Sequence, residues 1–167
     1  MIKILNSLFV TMFGLGKIKY MPGTIGSLAT TIILYCLFHT LNISSNIILI
    51  GLIIIFIYSF YAVSDYIEKN ENKDPGEIII DEFLGQSIPI YLYEISHGTT
   101  KDAGEAIVYY TLFFILFRYF DIMKPFPVNF FDKNFKNSFG VIMDDICAGF
   151  YVVLTLVCFM IIKSYVL

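Results

Sequence analysis

The sequence predicts an all-α, integral membrane bundle of about five apolar helices with an N-terminal interfacial helix, and three observations carry that expectation. Of 167 residues, 57% are hydrophobic and 15% charged, too few polar groups to clothe a soluble domain of this size. Residues 46–63, NIILIGLIIIFIYSFYAV, hold no charge over nearly the roughly 20 residues that cross a bilayer core. Lys and Arg gather in alternate connections between apolar segments, the asymmetry that fixes orientation in a membrane.

Taken in order, residues 1–13 combine Lys3 with an apolar stretch, and Gly14, Gly16 and Pro22 end the pattern with no small-residue cleavage site. They read as a retained interfacial helix. Residues 25–41 form a first span, with Gly26, Ser27 and Ala29 suited to close helix packing. Residues 46–63 form the second. Residues 78–95 make a third, short or re-entrant, because two acids and Pro89 interrupt a segment barely long enough to cross. Residues 104–120, with Arg118 near the end, and 141–162 complete the set.

With the N-terminus inside, the inner connections collect Lys3, Lys17, Lys19, Lys69, Lys73, Arg118, Lys124, Lys133 and Lys136, leaving Lys101 and Lys163 outside. This partition favours an N-in, C-out chain. It also brings residues 14–27, 65–82 and 118–145 to one face, as a single site requires. No internal repeat or long linker divides the chain, so residues 1–167 read as one domain.

Several classes of function fall away. A net charge of −3 and a pI near 5.2 offer no broad attraction to nucleic acid. Cys36, Cys147 and Cys158 sit inside apolar runs without a CxxC pair, which argues against a zinc site or a disulfide framework. His39 and His97 fall on the face opposite the loops just named, so neither is placed for acid or base work there.

The acids are distributed unevenly. Asp81 and Glu82 adjoin, Asp121 precedes Lys124, and Asp144 and Asp145 open the last apolar segment. A carboxylate at a membrane boundary needs water, a basic partner or a cation, and magnesium suits oxygen donors and bridges to phosphate. Singly, each acid reads equally as a solvated helix end favoured by the dipole. Three such clusters on one face point to chemistry. Adjacent helical side chains diverge by about 100°, so one member of each pair is expected to face a metal while its neighbour does something else. Glu77, four residues before Asp81, reads foremost as a capping or dipole-complementing residue.

The stretch from Lys17 to Ser27 joins two lysines to a Gly- and hydroxyl-rich turn ahead of an apolar helix. It reads as a helix cap by Thr24 or as a phosphate-binding helix N-terminus. Pro125 and Pro127 end regular helix beside Arg118 and Lys124, with Arg118 free to neutralise phosphate or to snorkel toward headgroups. No CxxxxxR or DxDx(T/V) nucleophile motif occurs, so metal-bound water is the preferred nucleophile. A small cation transporter or channel subunit, with acids in an ion pathway, is the alternative; the DxxDGxxAR core of lipid-headgroup transferases is missing.

Four blocks, KYMPGTIGS at 19–27, IIIDEFLG at 78–85, FRYFDIMKPFPVNFFD at 117–132 and GVIMDDICAG at 140–149, together resemble the phosphatidylglycerophosphatase A family in order and interval. The resemblance implies magnesium-dependent hydrolysis of phosphatidylglycerophosphate to phosphatidylglycerol by a multi-pass protein of the bacterial inner membrane, its site facing the cytoplasm. It makes Asp81, Glu82, Asp121, Asp144 and Asp145 the candidate metal or catalytic residues. Thr24, Arg118, Lys124 and Asp132 become candidates for phosphate binding or site organisation. The chain departs from its relatives in a variable polar loop at 65–76 and in lacking tryptophan, with Phe or Tyr in similar apolar roles.

Overall fold

The computed structural model describes residues 2–69, 76–97 and 103–166. Every regular element among them is helical: α1 (Ile2–Val10), α2 (Pro22–Tyr35), α3 (Ser45–Lys69), α4 (Ile80–His97), α5 (Ala103–Met123), α6 (Val128–Asn134) and α7 (Ser138–Val166). Lys73, Pro75 and Lys101 lie outside the described residues. Four helices are long and apolar enough to cross a membrane, at Pro22–Thr40, Ser45–Glu68, Gly104–Met123 and Ser138–Ile162. The first of these continues α2 through a π-helical turn at Cys36–Thr40.

α4 is the expected short segment, and it runs through the middle of the bundle without turning back. Its first turn lies beside the start of α2, where Ile79 packs on Gly26. Its last turn meets the far end of α2, where Glu94 lies 3.2 Å from His39. Ile80, Leu84, Gln86, Ile90 and Tyr93 are all buried, so neighbouring helices cover its polar groups. α4 and α7 approach closely at two glycines. A methyl group on Gly85 would strike the Asp145 carbonyl, and one on Gly149 would strike the Gly85 carbonyl. Pro89, inside α4, has no N–H to donate to that Gly85 carbonyl, which lies instead against α7.

α1 has the two unlike faces that an interfacial helix needs. One face is tied to α3 through buried Asn6, whose Nδ2 donates to Asp65 at 2.8 Å and whose Oδ1 accepts from Tyr58 at 2.6 Å. Ile4, Leu5 and Leu8 stay exposed on the other, as on a helix lying in a membrane surface.

Some expectations change. α3 continues past the apolar span to Lys69, because hydropathy reports membrane thickness and not helix length. α6 follows directly on Pro127, where helix was expected only to end. Glu77 is in a turn before α4 and accepts a hydrogen bond from the Tyr66 hydroxyl at 2.7 Å, so it shares no helix face with Asp81.

Candidate active site

Four stretches of chain meet at one end of the bundle: the first turns of α2 and α4, α7 about two turns in from its start at Ser138, and the end of α5 with the chain through α6. They enclose a cavity of about 280 Å³. All nine residues singled out in the sequence line it: Thr24, Asp81, Glu82, Arg118, Asp121, Lys124, Asp132, Asp144 and Asp145. α2 and α4 present their N-termini here, so their unpaired N–H groups and dipoles make this end favourable to negative charge.

The acids divide into two kinds. Asp121 accepts from Arg118 Nη1 at 2.7 Å, and Lys124 Nζ sits between Asp132 at 2.8 Å and Asp144 at 2.9 Å. Asp81, Glu82 and Asp145 instead bring carboxylate oxygens within 4.8 Å of one another, an arrangement that could hold a metal ion. Glu82 Oε2 is buried with no hydrogen-bond partner, and so is Arg118 Nε. Gln86 Oε1, deeper in α4 and outside the cavity lining, is left in the same way; a water or an ion would satisfy such atoms, and at Glu82 the two neighbouring carboxylates favour an ion.

This sorts one adjacent pair as the helical angle predicts and the other differently. Asp144 turns to Lys124 while Asp145 joins the carboxylate group. Asp81 and Glu82 both join that group, because the extra methylene of Glu82 spans the angular gap between neighbours. Short side-chain to backbone bonds hold the aspartates in place: Asp81 Oδ1 accepts from the Glu82 amide at 3.1 Å and Asp144 Oδ1 from the Asp145 amide at 3.0 Å.

Local backbone explains the other walls. Met21 occupies the cap of α2 with φ 51 and Pro22 opens the helix, so Thr24 lies in the first turn and is not the cap. Gly23 packs against the Glu82 carboxylate and the Arg118 guanidinium, where a Cβ would collide with Glu82. Lys17 and Lys19 are exposed and lie outside the cavity lining. Lys124 has φ 43, a left-handed conformation that costs a non-glycine residue about 1–3 kcal/mol. Its two carboxylate partners hold it there. Burial works against the Lys124 ammonium, but Asp144 and Asp132 outweigh burial and push its pKa above the ordinary lysine value.

The sequence reading missed Lys136, an exposed residue in the α6–α7 connection that lines the cavity beside Phe135. It counted there only as an inner loop charge, since nothing in its neighbours signals a site.

Comparison with known proteins bears on this geometry. A family model described as phosphatidylglycerophosphatase A matches residues 8–160. A Haemophilus influenzae protein named phosphatidylglycerophosphatase A is 37% identical over 142 residues, covering 85% of this chain and 80% of that protein. An Escherichia coli protein of the same name is 30% identical over 138 residues, covering 82% and 73%. A Bacteroides thetaiotaomicron protein named putative phosphatidylinositol-3-phosphatase is 32% identical over 142 residues, covering 84% of each chain. No solved structure matches.

Proposed function

This chain belongs to the phosphatidylglycerophosphatase A family of phosphatases, and from that premise we propose that it hydrolyses the terminal phosphate of phosphatidylglycerophosphate, with magnesium, to give phosphatidylglycerol. The observation that carries the reading is the group formed by Asp81, Glu82 and Asp145, within 4.8 Å of one another in the cavity that also holds ion-paired Lys124 and Arg118. The protein is a membrane protein. We place its site at the cytoplasmic face of the inner membrane, from the partition of Lys and Arg among its connections.

Magnesium fits the donor set. The three residues supply hard oxygen ligands, and the buried, unpartnered Glu82 Oε2 is a donor with nothing else to satisfy it. Bound there, the ion would supply Lewis acidity toward a phosphoryl oxygen and lower the pKa of water. The protein's own groups do the rest. Lys124 and Arg118 offset the charge of the phosphate, and the first-turn amides of α2 and the Thr24 hydroxyl offer donors to its oxygens. Asp121, Asp132 and Asp144 keep the two cations aimed into the cavity, which contributes through positioning and preorganised charge. A cavity carboxylate orients the attacking water and takes its proton. The new bond forms at phosphorus as the bond to the glycerol oxygen breaks, and that oxygen takes the proton from the carboxylate and leaves as the hydroxyl of phosphatidylglycerol, with inorganic phosphate the other product. Acyl chains stay in the bilayer, so only the headgroup enters the cavity.

The test is phosphate release by purified protein from phosphatidylglycerophosphate in mixed micelles, with magnesium and with excess chelator. We expect turnover that chelator abolishes and restored magnesium recovers. Folded protein inactive with both magnesium and manganese overturns the reading. A parallel assay on phosphatidylinositol 3-phosphate decides between two lipids of one chemistry, since both carry a phosphomonoester on a polyol joined to lipid by a phosphodiester.

A further inference from the structure

The three cations lining the cavity are not equivalent. Arg118 is bonded to Asp121 and, at 3.4 Å, to Ser27 Oγ, and Lys124 is held by Asp132 and Asp144. Lys136 is exposed and makes no ion pair with any described residue. Depth differs too. Asp81, Asp144 and Asp145 are buried, while Lys136 shares the mouth with exposed Met21 and partly exposed Phe135 and Val141. The cavity therefore has an acidic floor whose cations are ion-paired, and a mouth where the Lys136 ammonium, without an ion pair among the described residues, stands near apolar side chains.

The substrate class proposed above has matching polarity along its length. It ends in a phosphomonoester, continues through a polyol to a phosphodiester, and then passes into acyl chains. With the monoester at the floor, the diester falls at the mouth, next to where apolar contact begins. A lysine is a compact point charge with three rotatable donors, and at an exposed mouth it is suited to one diester oxygen pair in a wet setting. We propose that Lys136 is a specificity-determining residue that binds the phosphodiester of the lipid headgroup and so favours substrates carrying two phosphates over lipids carrying one. This inference rests on the lipid-phosphatase reading and adds the residue that recognises the part of the headgroup that is not cleaved.

Lys136→Gln and Lys136→Arg are compared with wild-type protein in mixed micelles. For Lys136→Gln we expect the KM for phosphatidylglycerophosphate to rise about fivefold with kcat little changed, as loss of one surface lysine–lipid attraction predicts. The difference should shrink in molar salt, because the group is exposed, and Lys136→Arg should restore most of the affinity. Inhibition by phosphatidylglycerol, which offers only the diester, weakens in parallel, whereas inhibition by inorganic phosphate, which offers only the monoester site, stays the same. An unchanged KM, or an equal weakening of inhibition by inorganic phosphate, overturns the inference while leaving the phosphatase reading intact. No turnover by the wild-type protein overturns both.

Discussion

At one end of the bundle, Glu94 Oε1 lies 3.2 Å from His39 Nε2 and accepts from the Tyr110 hydroxyl at 3.2 Å. At the other, Glu82 Oε2 is buried and has no donor among the described residues, and Asp81 and Asp145 crowd the same residue. Both acids belong to α4, one in its last turns and one in its first. A buried acid met by donors is scaffold, since pairing offsets the cost of leaving water. Six carboxylates and three cations around one cavity repel as a group, and folding alone gives no reason to gather them. The contrast within a single helix separates the acid that holds α2, α4 and α5 together from those that the proposed metal would satisfy.

Four substitutions test that contrast, from the largest effect down. Asp81→Asn or Asp145→Asn should lower turnover by about 1000-fold or more, the scale of removing a major electrostatic element, while size-exclusion and circular dichroism profiles stay those of folded protein. Near-normal activity in both would erase the distinction between the two ends. Gly23→Ala should lower turnover by roughly 10- to 100-fold, because the new methyl displaces the Glu82 carboxylate and small misplacements at reacting centres cost that much. Its thermal stability should hold, since alanine favours helix over glycine; a matching loss of stability and activity would mean the substitution acts through folding. Tyr110→Phe, at the far end, should cost about 1 kcal/mol of stability by removing one donor to Glu94 and leave turnover within about twofold. A large loss of activity there would mean the ends communicate.

Much of this was legible in the sequence, for identifiable reasons. Apolar runs located the helices, and the motif blocks fell toward one end of the bundle, so all nine predicted residues reached one cavity. Side-chain direction was legible only in part. Divergence around a helix separated Asp144 from Asp145, but the reach of Glu82 brought it back to Asp81. The short α6 was hidden because Pro125 and Pro127 signal an end to helix, and seven residues are too few to show a period. Thr24 has the right residue type for a cap, yet the left-handed Met21 takes that place. Lys136 reaches the cavity through segments distant in the chain, and the pairing of Glu77 with Tyr66, 11 residues apart, follows no short-range motif.

The glycine contact between α4 and α7 bears on how steady the carboxylates are. Gly85 rests against the turn of α7 that begins at Asp145, and Asp81 lies one turn along α4 from it. The contact acts as a fulcrum with a lever arm of about 5.4 Å. Rocking the two helices by a few degrees about it shifts Asp81 relative to Asp145 by roughly half an ångström or less over that arm. Fluctuations that swing the distant, lipid-bathed ends of these helices through much larger arcs are thus geared down before they reach the acids, and a soft, fluid surrounding can contain a ruler made of main chain.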